Sequence, residues 1–199
     1  MIRWLALLMV VTGVARADKP DKPDEFVDVA ALVPDAVLDL RYATDHNFTG
    51  KQLYPAAHCK LRRAVAEKLV KAAKALRAQD RRLVIWDCYR PSSIQKVLWK
   101  LVPDERYVAN PAKGSRHSRG AAVDVGLVAK DGHAVVLPTV FDDFTVAAHR
   151  DRALKGDKGA EARRLAKAME DAGFIGMPTE WWHYDDADAT TYPLADDPL

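Results

Sequence analysis

Two histidines and two carboxylates in this chain are spaced so that they can do chemistry together. His117 and Asp124 lie at either end of His117-Ser118-Arg119-Gly120-Ala121-Ala122-Val123-Asp124, preceded by Ser115 and Arg116, and His183 closes Glu180-Trp181-Trp182-His183. Two imidazole nitrogens and one carboxylate oxygen are the ligand types of a catalytic zinc, which keeps its fourth tetrahedral position for water. Glu180, three residues before His183, is then the base for that water. Gly120 lets the chain bend tightly between the first two ligands. The spacing of His117 and Asp124 alone also fits a solvated loop histidine and a capping carboxylate. Against that, Asp124 interrupts the apolar residues Ala121, Ala122, Val123, Val125 and Leu127, where an unpaired ionised carboxylate is costly to bury. It needs a partner, and a cation is a good one.

The elements that must position these groups read as alternating strands and helices. Val37 to Tyr42 reads as a strand with Leu38, Leu40 and Tyr42 on one face, and Asn47-Phe48-Thr49-Gly50 as a turn. Leu61, Val65, Leu69, Ala72 or Ala73 and Leu76 recur at helical spacing, with Arg62, Lys68, Lys71 and Lys74 on a solvated outer side. Leu83 to Asp87 is a buried strand feeding Cys88-Tyr89-Arg90-Pro91. Pro91 can open a helix striped by Ile94, Val97, Leu98 and Leu101. Arg90 thus stands at a strand-to-helix junction, open either to a functional role or to a surface pair with Asp87. Lys130-Asp131-Gly132 is a turn, Phe141-Asp142-Asp143-Phe144 an acidic stretch between aromatics, and Ala160 to Ala172 a helix that Gly173 ends. Gly176 and Pro178 argue against helix before Glu180. In a regular strand Glu180 and His183 would point to opposite faces, so a shared site needs a twist or a bulge there.

Residues 1–17 combine Arg3, the apolar run Trp4 to Val14, and Ala15-Arg16-Ala17, the pattern of a secretory signal cleaved before Asp18. The run is shorter than the ~20 apolar residues of a membrane span, so no stable membrane insertion is expected after cleavage. Residues 18–25 read as a flexible leader and 26–199 as one domain. Cleavage takes Arg3 and Arg16 from the 30 basic residues, leaving 28 against 28 acidic ones, a balance without the electrostatic footprint of a nucleic-acid binder. The two cysteines, Cys59 and Cys88, suggest a disulfide in an exported chain. Neither H-E-x-x-H, nor G-x-S-x-G, nor a glycine-rich phosphate loop occurs.

Taken in order, Asp39-Leu40-Arg41-Tyr42-Ala43-Thr44, Asn47 to Gly50, Trp86 to Pro91, Ser115 to Asp124, Phe141-Asp142 and Glu180-Trp181-Trp182-His183-Tyr184 resemble the D-alanyl-D-alanine dipeptidases, zinc peptidases of the vancomycin-resistance type. The resemblance spans nearly the whole mature chain. It implies an α+β fold, a single domain with a central antiparallel sheet flanked by helices and the zinc site at the sheet. It further implies one zinc held by His117, Asp124 and His183, Glu180 as general base, Arg90 steadying the transition state, and Asp142, Tyr42 and Ser115 in the pocket of a small D,D-dipeptide. Arg116 departs from it, since a relative of this kind carries a small serine there. Two other readings stay open: a D,D-carboxypeptidase trimming longer peptides, and a zinc-bearing cell-wall binding module without catalysis, which would have no use for Glu180.

Overall fold

The computed structural model describes residues 22–199. The expected signal segment, and the leader as far as residue 21, lie outside the described residues. Within 22–25, the Asp24 carbonyl accepts from Arg62 Nη1 at 2.6 Å and the Glu25 carbonyl from the Arg63 amide at 2.8 Å.

The two apolar runs that frame the site become the central strands. β1 (Phe26–Asp28), α1 (Val29–Leu32), β2 (Val37–Leu38), β3 (Lys60–Arg62), α2 (Arg63–Arg77), β4 (Arg81–Asp87) and α3 (Ser92–Leu101) form the first half. β5 (Ala122–Ala129), α4 (Arg150–Ala153), α5 (Ala160–Asp171), β6 (Phe174–Gly176) and β7 (His183–Asp186) form the second. Five strands make one sheet in the order β2-β4-β5-β7-β6, and β1 pairs with β3 in a separate antiparallel ribbon. The large sheet is antiparallel except at its edge, where β2 runs parallel to β4. The fold is the expected α+β class. Helices α2 and α5 pack on each other and on the sheet, because Val65, Leu69, Ala72 and Leu76 of one, and Ala162, Leu165 and Met169 of the other, fall on single apolar faces that are fully buried.

Three local expectations are corrected. The strand expected over Val37 to Tyr42 ends at Leu38. A short 3-10 turn at Arg41–Ala43 follows, and the buried residues Leu40 and Tyr42 enter two different apolar clusters rather than one sheet face. In α3 the expected stripe is rotated: Val97 and Leu101 are 39% and 56% exposed, while Gln95 and Leu98 are buried. Gln95 turns inward because both ends of its amide are used, Oε1 accepting from Arg90 Nη1 at 2.8 Å and Nε2 donating to the Ala109 carbonyl at 2.7 Å. Leu61 and Arg62 precede helix α2, in β3, and Arg62 is buried rather than solvated, with its guanidinium 3.9 Å from the Phe26 ring centroid. The Cys59–Cys88 disulfide is formed, joining the start of β3 to the end of β4.

Candidate active site

Cross-strand pairing assembles the centre of the site. Asp124 of β5 and His183 of β7 are direct partners in the antiparallel ladder, where side chains of facing residues lie on the same side of the sheet. His117 comes from a 3-10 turn, His117–Arg119, which Gly120 ends with a left-handed φ of 68°. A Cβ on Gly120 would stand 2.3 Å from the Phe26 ring, so the turn requires glycine for both its backbone and its close approach. The spacing problem between Glu180 and His183 disappears because β7 begins at His183, and Glu180 sits in the turn before it.

The three buried groups offer donor atoms within 4.8 Å of one another. His117 Nε2 and His183 Nδ1 face each other at 3.2 Å, and Asp124 Oδ1 lies 2.9 Å from His183 Nδ1. The outer nitrogens both face acceptors. His117 Nδ1 is 2.6 Å from the Cys88 carbonyl and His183 Nε2 is 2.8 Å from Asp185 Oδ1, and both partners can only accept. Each ring therefore has an acceptor waiting for an outer N–H, which leaves its inner nitrogen able to turn a lone pair inward beside the Asp124 carboxylate. That set fits a zinc ion, whose ligands are of these types and whose histidines donate their other N–H outward. Burial alone would raise the Asp124 carboxyl, but the His117 and His183 rings hold it well below the usual range. His183 is raised well above an ordinary histidine, its burial outweighed by Asp185 and Asp124.

Around this cluster lies a cavity of about 290 Å³, at the lower end for ligand pockets. It gathers every site residue expected from the sequence apart from the two cysteines. Glu180 Oε2 is 3.9 Å from His183 Nδ1, and burial pushes its carboxyl well above the usual range. Arg90 does pair with Asp87, but deep in the fold: Nε and Nη2 reach Asp87 Oδ2 at 3.0 and 2.6 Å. Asp87 in turn accepts from the Tyr54 hydroxyl at 2.8 Å and the Cys88 amide at 2.9 Å. So held, the guanidinium stays charged, facing Asp124 at 4.0 Å and the Tyr42 ring at 5.2 Å. Asp142 adopts a left-handed φ of 59°, an uncommon conformation for a residue with a side chain, and its Oδ2 accepts from the Tyr42 hydroxyl at 3.0 Å. Burial first, then the Asp124 charge, push its carboxyl up to about 8. Ser115 is buried at the cavity wall, its Oγ accepting from the His117 amide at 3.2 Å.

Asp185, Gln95 and Tyr54 support this site and were not singled out in the sequence. Asp185 carried a signal, since residues two apart on a strand share a face; nothing in the pattern marked Gln95 or Tyr54.

The family model described as D-ala-D-ala dipeptidase matches residues 22–198. The chain belongs to that family. A D-alanyl-D-alanine dipeptidase of Escherichia coli K12 is 36% identical over 174 residues, 87% of this chain and 90% of its own. One from Enterococcus faecium is 33% identical, covering 73% of this chain and 83% of the relative, and one from Streptomyces coelicolor 31%, covering 80% and 90%. Among solved structures, a vancomycin-resistance D,D-pentapeptidase in complex with Zn(II) matches 67% of this chain and 78% of its own, at 20% identity and a TM-score of 0.43.

Proposed function

We propose that this protein hydrolyses the free dipeptide D-Ala-D-Ala, with zinc held by His117, Asp124 and His183. The observation that carries the reading is the convergence of two ring nitrogens and a buried carboxylate beside the buried Glu180. When bound, zinc supplies a Lewis acid able to polarise a carbonyl and bring the pKa of water down to about 7. Glu180, its proton affinity raised by burial, takes the proton of the attacking water and returns it to the departing amine. Arg90, locked by Asp87 and Gln95, presents a fixed positive charge to the oxyanion that develops on the scissile carbonyl. Tyr42 steadies Asp142, whose carboxylate receives the ammonium group that distinguishes a free dipeptide from the end of a longer chain. Ser115 holds the His117 turn and contributes to the substrate wall.

Export belongs to the same proposal, supported by a disulfide that suits an oxidising compartment. The test is purified, zinc-loaded protein offered D-Ala-D-Ala, N-acetyl-D-Ala-D-Ala and a tripeptide ending in the same residues. Release of D-alanine from the free dipeptide, and little from the other two, is expected. Equal turnover of all three would make it a carboxypeptidase, and no turnover of any would leave a binding module.

A further inference from the structure

We propose that Asp185 is a positioning residue for His183 and that Arg116 clamps it in that role. The proposal rests on the metal reading above. Along β7 the side chains alternate, so His183 and Asp185 point to the cavity side while Tyr184 and Asp186 point away. Asp185 sits in a strand paired on both sides, with Ala122 of β5 and Ile175 of β6 as register partners, and its backbone is therefore fixed. Its two oxygens are divided between two partners: Oδ1 lies 2.8 Å from His183 Nε2 and Oδ2 lies 3.0 Å from Arg116 Nε.

The division has a chemical consequence. A neutral imidazole carries one N–H, and His183 can offer a lone pair at Nδ1 only while that hydrogen stays on Nε2. An acceptor-only carboxylate at Nε2 receives that hydrogen and holds the ring plane, and such outer partners commonly set metal affinity by 10- to 100-fold. For His117 the same duty falls to a backbone carbonyl, that of Cys88, which no side-chain substitution removes. Asp185 is thus the outer partner that can be deleted. Arg116, at the half-exposed lip of the cavity, takes the oxygen that His183 leaves over and keeps the carboxylate from turning away.

The experiment strips the metal from the wild type, Asp185→Ala, Asp185→Asn, Arg116→Ala and the Asp185→Ala/Arg116→Ala pair. Zinc is then titrated back against a competing chelator, and the zinc-free proteins are melted in parallel. Asp185→Ala should weaken zinc roughly 10- to 100-fold with an unchanged zinc-free melting temperature. Asp185→Asn, which keeps an acceptor oxygen without the charge, should fall between it and wild type. Arg116→Ala should cost less, and nothing further on the Asp185→Ala background. A zinc affinity for Asp185→Ala within about twofold of wild type overturns the proposal, against the expected range for such partners. So does a zinc-free melting temperature that falls with affinity in both Asp185 variants, since that is a packing defect. An additive effect of Arg116→Ala overturns the clamp. A wild type that binds no zinc at all sinks the metal reading itself, a result distinct from each of these.

Discussion

Replacing Asp142 by asparagine should separate recognition of the substrate amine from chemistry. The carboxylate gives Oδ2 to the Tyr42 hydroxyl at 3.0 Å, and no side-chain bond to its other oxygen is present among the described residues. That oxygen is available to an ammonium group in the cavity. A hydrogen bond between charged partners contributes about 1.5 to 3 kcal/mol, which at about 1.4 kcal/mol per decade is roughly 10- to 150-fold in kcat/KM. Asp142→Asn preserves shape and the bond to Tyr42, so the loss should appear in KM for D-Ala-D-Ala and be absent for N-acetyl-D-Ala-D-Ala, which has no ammonium to lose. The pH dependence has a definite sign. Burial raises the Asp142 carboxyl to about 8, so its ionised fraction grows as pH rises towards that value. Wild-type KM for the free dipeptide should therefore fall between pH 6 and about 7.5, below the ordinary α-amino pKa of about 7.7 to 8.0, and the asparagine variant should lose this slope. Steady-state kinetics on the two substrates at three pH values decides it. An unchanged KM in Asp142→Asn, or an equal loss on the acetylated substrate, would refute the assignment.

Arg90→Lys keeps a charge but not the forked contacts to Asp87 and Gln95; kcat should drop by about 10²- to 10³-fold with little change in KM, as for loss of one oxyanion donor. Arg90→Ala would instead leave the buried Asp87 without its cation and cost about 3 to 5 kcal/mol of stability, measurable by denaturant titration. The disulfide spans a separation of 29 residues, and loop-closure entropy for that length gives about 3.6 kcal/mol. Cys59→Ser/Cys88→Ser should melt about 7 to 14 °C lower yet still take up one zinc, because His117 leans on the Cys88 carbonyl rather than its side chain.

The site was legible in the sequence because its residue types are uncommon where they stand. Asp124 inside an apolar strand demanded a cation, and the structure places His117 and His183 around it. What the pattern did not contain was register: that Asp124 faces His183 is a property of how β5 and β7 pair. The three-residue gap from Glu180 looked like a conflict only while a strand was assumed to contain both. Tyr42 misled for a similar reason, since its alternation with Leu38 and Leu40 suggested one face where a 3-10 turn sends it to a second cluster. In α3 the apolar spacing predicts a stripe through Val97 and Leu101, yet Gln95 faces inward, drawn by its bonds to Arg90 and the Ala109 carbonyl. Polar burial of that kind depends on partners distant in the chain.

The central claim is that three residues hold the metal and a fourth moves the proton, and one paired measurement on wild type and Glu180→Ala addresses it. Zinc content by elemental analysis and D-alanine release from D-Ala-D-Ala are recorded on the same samples. One zinc per chain in both proteins is expected, with hydrolysis lower in the variant by about 10²- to 10⁴-fold. Near wild-type turnover in Glu180→Ala, or active wild-type protein without zinc, would contradict it.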